Sequence, residues 1–403
     1  MTAAPAQERL RLTVATPFGK DALLLRHARA EEEISAPFRI SLEMISTKND
    51  LASERILGQP VGVSVETVAG EWRRFHGIVT RFIQAASSTR FTSYSAEVRP
   101  WFWLLSLSSD CRVFQNQSVP DIVTGLFGEL GFHDFRNALT AQYPAREYCV
   151  QYNETAFAFV CRLLEQEGIF YYFEHEADRH VLVLADDAGV HDPCPGASTL
   201  AYRPDDGTHP SHDGVTRCSL EHGLTSAKYA VDDFNFKLPT LDLMAAAAGK
   251  AGTGRRYEYP SGFDTKDAGE RLAKARLGQL ELAGLTLTGE SGTPAMTAGY
   301  TFALSGHPRN DLNRGYLLQR VVHEADADGY RNLFAALPDD LTCRPARLTE
   351  KPRIHGSQTA LVVGKSGEEI WTDSFGRIKV QFHWDQRGKS DQDSSCWIRV
   401  AQG

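Results

Sequence analysis

The amino-acid sequence predicts a mainly β protein with α+β insertions, on three observations. Apolar and polar residues alternate in short runs through the first hundred residues, a block of helical periodicity follows, and alternation returns near the end of the chain. In the first region Leu10, Leu12 and Val14 alternate with Arg11 and Thr13, Val61, Val63 and Val65 with Gly62 and Ser64, and Tyr94, Ala96 and Val98 with Ser95 and Glu97. Period-two alternation turns one face of each strand to a core and the other to water or a partner. Turn signals at Pro17-Phe18-Gly19 and Ala69-Gly70 separate the runs, which suits an antiparallel barrel or sandwich.

From Ser118 the period changes. Ser118 with Asp121 three residues on reads as a helix cap, Ile122, Leu126 and Leu130 repeat on one face, and Gly131 stops the helix. A second helix begins after Asn153, turns Phe157, Val160 and Leu164 inward and ends at Gly168. Its Glu165-Gln166-Glu167 ending meets the negative pole of the helix dipole, a mildly unfavourable placement. Ile169–Phe173 and Val181–Leu184 then read as a hairpin, so residues 118–184 form a small α+β unit.

Residues 186–225 are rich in Asp, Gly, His and Pro and read as loop. Ala245–Ala248 reads as a loop or short helix, and a third helix is expected near Asp264–Ala283, capped by Asp264 or Thr265 and carrying Leu272, Leu277 and Leu280. Strands resume at Tyr300–Leu304 and Gly315–His323. In the latter, Leu318 and Val322 share one face and Leu317 and Val321 the other, as in a strand covered on both sides. Gly77–Phe82 faintly echoes Gly315–Val321, an echo that any two strands after a glycine would show.

The strongest local signal lies at 375–400. Ile378, Val380, Phe382 and Trp384 alternate with Lys379, Gln381, His383 and Asp385, and burying four such side chains contributes on the order of 6–12 kcal/mol at most. With Thr359–Val363, Glu369–Thr372 and Cys396–Val400, this strand makes four of the five expected in an oligonucleotide-binding-type (OB-type) barrel. The open edge predicts either a natural chain that continues past residue 403, the favoured reading, or an edge completed by another subunit.

Composition bounds the function. The chain has 403 residues, room for roughly three domains, and a net charge of −8. Its basic residues are scattered or paired, as at Arg73-Arg74 and Arg255-Arg256, so no stripe for nucleic acid is expected. Seven widely spaced cysteines without a Cys-x-x-Cys pair argue against a disulfide framework, and no apolar run approaches a membrane span. The polar stretch Met1–Leu10 has no apolar segment of an export signal, which predicts synthesis in a reducing cytosol.

Catalytic motifs are missing, and His323-Glu324 lacks the second histidine of a zinc-protease helix. Asp186-Asp187, Asp205-Asp206 and Asp339-Asp340 read as solvated turns rather than catalytic pairs. His191, Cys194, His209, His212, Cys218 and His222 have spacings that could supply four zinc ligands, but mixed ligand types and adjacent prolines favour a histidine-rich loop. Trp101-Phe102-Trp103 reads as core or interface rather than a membrane wedge. No catalytic, cofactor-binding or metal residue is therefore assigned, and a structural subunit of a larger assembly is expected.

Three runs carry a family resemblance: Glu368–Asp373, Phe375–Asp385 and Ser395–Val400. With Tyr148–Glu154, Phe159, Arg162-Leu163, Glu165 and Glu167–Tyr171 upstream, and Phe75–Val79, Arg99–Trp101 and Phe114-Gln115 earlier, they resemble the VgrG spike family of type VI secretion systems. The resemblance implies a region similar to a contractile phage tail hub, with two tube-like β-barrel lobes. The first would occupy 1–110, an inserted α+β unit 111–185, a loop-rich segment with a helix and the second lobe 186–350, and an incomplete OB-type barrel 351–403. The Gly77 and Gly315 strands would then belong to corresponding lobes. It also implies a homotrimer, a hexameric Hcp-like tube protein and baseplate proteins as partners, and a PAAR-type tip and effectors borne by a C-terminal needle lying beyond this sequence. No cofactor, metal, nucleic acid or stable membrane insertion is implied. Such a protein is cytoplasmic before assembly and leaves through the apparatus without a signal peptide. The alternatives are a hub-associated cell-wall hydrolase, a metalloenzyme, or the hub of a phage-like tail.

Overall fold

The computed structural model describes residues 7, 11–66, 70, 72–204, 214–249, 251–368 and 370–401. Strands β1 (Leu12–Ala15), β2 (Leu24–Glu33), β3 (Ala36–Ser46), β4 (Pro60–Glu66), β5 (Trp72–Ser87) and β6 (Thr92–Arg99) pair antiparallel in the order β1-β4-β5-β6-β3-β2. Their alternation works as expected: Leu12 and Val14, the three valines of β4, and Tyr94, Ala96 and Val98 are all buried. Leu10 lies outside the described residues. At Gly77 in β5 the sheet is too tight for a side chain, because a Cβ there would stand 2.6 Å from Val98 Cγ1 and 2.9 Å from the Arg99 carbonyl. Gly77→Ala is therefore expected to destabilise the protein by about 1–3 kcal/mol, measured as a lowered denaturation midpoint. An unchanged midpoint would show that β5 and β6 can separate without cost.

A 3-10 helix (Trp101–Leu107) leads into the inserted unit of β7 (Ser109–Phe114), α1 (Val119–Glu129), β8 (Phe135–Ala138), β9 (Cys149–Thr155), α2 (Ala156–Glu167), β10 (Phe170–His175) and β11 (His180–Ala185). Helix α1 opens on a complete capping box: Ser118 Oγ accepts the Asp121 N–H and the Asp121 carboxylate accepts the Ser118 N–H. It ends at Glu129, so Leu130 caps the helix in the open and does not extend the apolar stripe. Helix α2 starts at Thr155, whose hydroxyl accepts the Ala158 N–H, and stops at Gly168 with φ 75°. Val160 and Leu164 are buried and Phe157 half-buried.

The acidic end of α2 is compensated. Arg146 donates to Gln166 and Glu167, and Glu165 accepts the N–H groups of Leu348 and Thr349 and the Thr349 hydroxyl. Trp101 and Phe102 are core residues, with Trp101 stacked on Phe132 at 4.8 Å. One apolar core runs from the first strand set into this unit.

The chain continues through β12 (Thr199–Ala201), β13 (Val215–His222), β14 (Ser226–Val231), β15 (Ala245–Ala248), β16 (Thr253–Glu258), α3 (Lys266–Leu282), β17 (Leu285–Ser291), β18 (Thr301–Ser305), β19 (Gly315–Asp326) and β20 (Tyr330–Pro338). Two expectations fail here. The segment read as loop contains β12 and β13. The latter is an edge strand paired along β17 whose side chains are mostly exposed or half-buried, so it needs no apolar alternation. Ala245–Ala248 is a strand, because Ala245 must fit under α3 beside Val231 and Ala273, where tertiary packing overrides alanine's helical preference. Helix α3 begins after Thr265, as expected, but without a side-chain cap.

Strand β19 pairs with β2 from Arg320↔Glu33 to Asp326↔His27, so both strand sets form one continuous sheet. Leu317, Leu318, Val321 and Val322 are buried, and β19 is covered on both faces.

The last region is a three-stranded sheet of β21 (Ala360–Val363), β22 (Ile378–Phe382) and β23 (Cys396–Ile398). The expected strand at 369–372 is reduced to a single bridge, Thr372↔Ile378, with Glu369 outside the described residues. Trp384 falls in the turn after β22, stacked on Phe382 at 5.1 Å. Of the four alternating apolar residues only Val380 is fully buried, and Lys379, expected in solvent, is equally buried because the inserted unit covers it.

Candidate functional site: a buried ionic cluster and a cationic cleft

The β2–β19 seam is held by charge in the interior. Along β2, Ala28, Ala30 and Glu32 point inward, and Glu32 is only 4% exposed. Arg73 Nη2 on β5 lies 3.0 Å from both Glu32 carboxylate oxygens, and Arg73 also stacks over Phe75 at 4.3 Å. His323 Nε2 on β19 is 2.9 Å from Glu32 Oε2, and His175 Nε2 on β10 is 3.2 Å from Oε1. Thus one carboxylate joins the first strand set, the second and the inserted unit.

Each imidazole here has an assigned tautomer. His175 Nδ1 accepts the His76 N–H at 3.1 Å, which leaves Nε2–H to face Glu32. Asn332 donates to the Tyr330 hydroxyl, whose own hydrogen goes to His323 Nδ1, so His323 too offers Nε2–H to Glu32. His180 Nε2 accepts the Trp101 N–H at 2.8 Å, and its Nδ1–H donates to His76 Nδ1 at 3.0 Å. Burial favours the neutral form of all four rings, pushing His76, His175 and His323 below the ordinary imidazole range. His180, flanked by two other imidazoles as well, is pushed down to about 2. Burial alone would raise Glu32, yet Arg73 and the histidine N–H groups hold it well below the usual carboxylate range. The cavity beside Glu32 is about 10 Å³, room for one water and no substrate. The cluster is built as a clamp between three parts of the fold.

A second feature lies where the inserted unit meets the C-terminal sheet, a contact made mainly by polar groups. Arg377 reaches Glu147 at 2.9 Å, Gln115 donates to the Asp393 carbonyl at 2.7 Å, and Arg387 reaches Glu129 at 3.1 Å. Gln358 donates to the Tyr152 hydroxyl at 2.9 Å. Between the two parts opens a cleft of about 740 Å³ lined by Gln115, Glu147, Lys237, Arg377, Lys379 and Trp397, among others.

The residues weighed from sequence fall elsewhere. His191 stacks on Phe170 and bonds the Gly299 carbonyl, Cys194 is in the second core, Cys218 is half-buried on β13, and His222 is exposed. His209 and His212 lie outside the described residues, as do Asp205 and Asp206. Among the described residues no three His, Cys, Asp or Glu side chains are placed to hold a metal, and the seven cysteines are free thiols. Asp186 is not a solvated turn residue. Its carboxylate is buried, accepting the Thr140 and Ala141 N–H groups and the Thr140 and Tyr143 hydroxyls, which outweigh desolvation and lower its pKa.

A long sheet is thus built from two strand sets, with an α+β unit clamped on its seam. Residues 31–329 match the phage tail baseplate hub (GPD) family, and the chain belongs to that family. Within it the sequence is similar to type VI secretion system spike proteins of Pseudomonas aeruginosa. It is 40% identical to VgrG1b over 98% of this chain and 56% of that protein, and 40% identical to VgrG1a over 96% and 62%. The chain thus spans a little over half the length of these relatives. In structure it is similar to the E. coli c3393 protein, a type VI secretion component described as resembling the T4 bacteriophage tail proteins gp27 and gp5. That likeness has a TM-score of 0.72 at 22% identity and covers 96% of this chain and 92% of that one. A tail protein from Neisseria meningitidis shares the fold at a TM-score of 0.61 and 15% identity, over 83% and 98% of the two chains. The resemblance read from the sequence is borne out.

Proposed function

We propose that this chain is the hub portion of a type VI secretion spike, a non-enzymatic adaptor that assembles as a trimer, caps a hexameric tube and carries effectors outward. The observation that carries this reading is the 40% identity to spike proteins across nearly the whole chain. Surface chemistry supports it: Leu348, Leu361, Val362 and Phe375 are exposed, and Ile370 is 78% exposed, apolar surface that suits contact with further subunits. The two strand sets at 11–99 and 285–338 serve as the two tube-like lobes of each subunit. Baseplate proteins and a PAAR-type tip are the remaining expected partners, and export by the apparatus itself the expected route. Among the described residues no helix is long and apolar enough to cross a membrane.

Light scattering of the full-length natural protein should give three times the subunit mass, and particle images with the tube protein should show the hub seated on a six-membered ring. A monomer that ignores the tube protein would overturn the assignment. Peptidoglycan turnover lost on replacing one acidic residue would favour the hydrolase instead.

A further inference from the structure

We propose that the cleft between the inserted unit and the C-terminal sheet binds a carboxylate-bearing peptide segment of a partner protein, with Lys379 as its anchor. Lys379 is 5% exposed, and its ammonium carries three N–H donors. Among the described residues it has one hydrogen-bond acceptor, Gln115 Oε1 at 2.9 Å, and no carboxylate in ion-pair contact, Asp393 and Glu147 acting on it only from farther away. Trp397, its cross-strand neighbour, places an indole face 5.3 Å from the ammonium, which softens desolvation without supplying a counter-charge. A buried cation is normally paired. This one is left open on the cleft.

The other charges are spoken for. Glu147 is shared by Lys237 at 2.7 Å and Arg377 at 2.9 Å, and the Arg377 Nε is 2.6 Å from Asp373. These pairs fix the walls, so the unmatched charge of the lining is that of Lys379. The cleft's volume of about 740 Å³ lies within the range of small-ligand pockets and admits one or two acidic side chains with their backbone. With Glu147 and Asp373 already taken by Lys237 and Arg377, the lining keeps a local positive excess at Lys379, which fits a short acidic segment against the chain's overall charge of −8. This inference is independent of the secretion role, since it rests on the cleft alone.

The test is calorimetric titration of the 403-residue chain at low salt with a blocked Gly-Glu-Asp-Gly peptide, its Gly-Gln-Asn-Gly counterpart and inorganic phosphate. The acidic peptide should bind saturably, the amide peptide should not, and Lys379→Met should weaken binding about tenfold. Gln115→Glu provides a second variant that keeps Lys379 and its fold. It places a carboxylate on the ammonium in cis and should also weaken the peptide about tenfold. Its effect on stability is not diagnostic, because it gives up the bond to the Asp393 carbonyl. No saturable peptide binding, equal binding to the wild type and Gln115→Glu, or tighter binding of phosphate than of peptide would each overturn the proposal.

Discussion

Arg73→Met should destabilise the protein by about 3–5 kcal/mol, the cost of leaving a buried carboxylate without its cation. Glu32 accepts two hydrogen bonds from Arg73 and one from His323, with His175 Nε2 a further 3.2 Å contact. With Arg73 gone, both histidines are already neutral and carry no charge to replace it. The site would have to take up a proton, on the carboxyl or on His323, whose Nδ1 faces a rotatable Tyr330 hydroxyl. The double variant Glu32→Gln/Arg73→Met removes both charges and should recover most of the loss, as buried pairs replaced together often do. Denaturant midpoints for the two single variants and the double variant would measure the coupling. If Arg73→Met costs under about 1 kcal/mol, or if the double variant is no better than the single, Glu32 is not the clamp of the β2–β19 seam.

Much of this fold was legible because the first strand set and the helices obey local rules. The valines of β4, the capping box at Ser118 and the stop at Gly168 each state their structure within a few residues. Where sequence reasoning failed, the deciding contact was remote. Strand β13 exists because β17 offers it a backbone edge, and β15 because α3 packs over its alanines. Alternation set Lys379 on a solvent face, but alternation describes one strand and not what lies across it. The ionic cluster was hidden for a related reason. Glu31-Glu32-Glu33 looks like a solvated run, and Arg73, His175 and His323 come from three other strands. One signal was available: Ala28 and Ala30 set the inward parity of β2, and Glu32 shares it. His323-Glu324 lacks the second histidine of a zinc-protease helix. His323 instead shares Glu32 with His175, which arrives from the inserted unit, a placement that spacing alone does not encode.

Acidification should weaken the same junction well before ordinary acid denaturation. A histidine near 6.5 when unfolded and depressed when folded binds its proton only in the unfolded chain between those two values. Stability is then full above about pH 6.5 and falls as the pH drops below it. For each ring still neutral in the fold at pH 5 the loss is about 2 kcal/mol relative to pH 8. His76, His175, His180 and His323 all shift downward, and His191, half-buried against Phe170, shifts the same way. Glu32 acts in the same sense, but only once the pH falls below its unfolded value of about 4.5, whereas Glu33, raised by burial, takes up its proton earlier in the fold and opposes the histidines. His180→Gln keeps a donor for His76 and an acceptor for the Trp101 N–H, and should lower the slope of stability against pH by one proton. Denaturation midpoints at intervals from about pH 8 to about pH 5 would measure both slopes. A flat wild-type profile would mean that the rings already carry protons in the folded state. That would contradict the tautomers assigned by their partners, because His175 Nδ1 and His180 Nε2 each accept a backbone N–H and have no room for a second hydrogen.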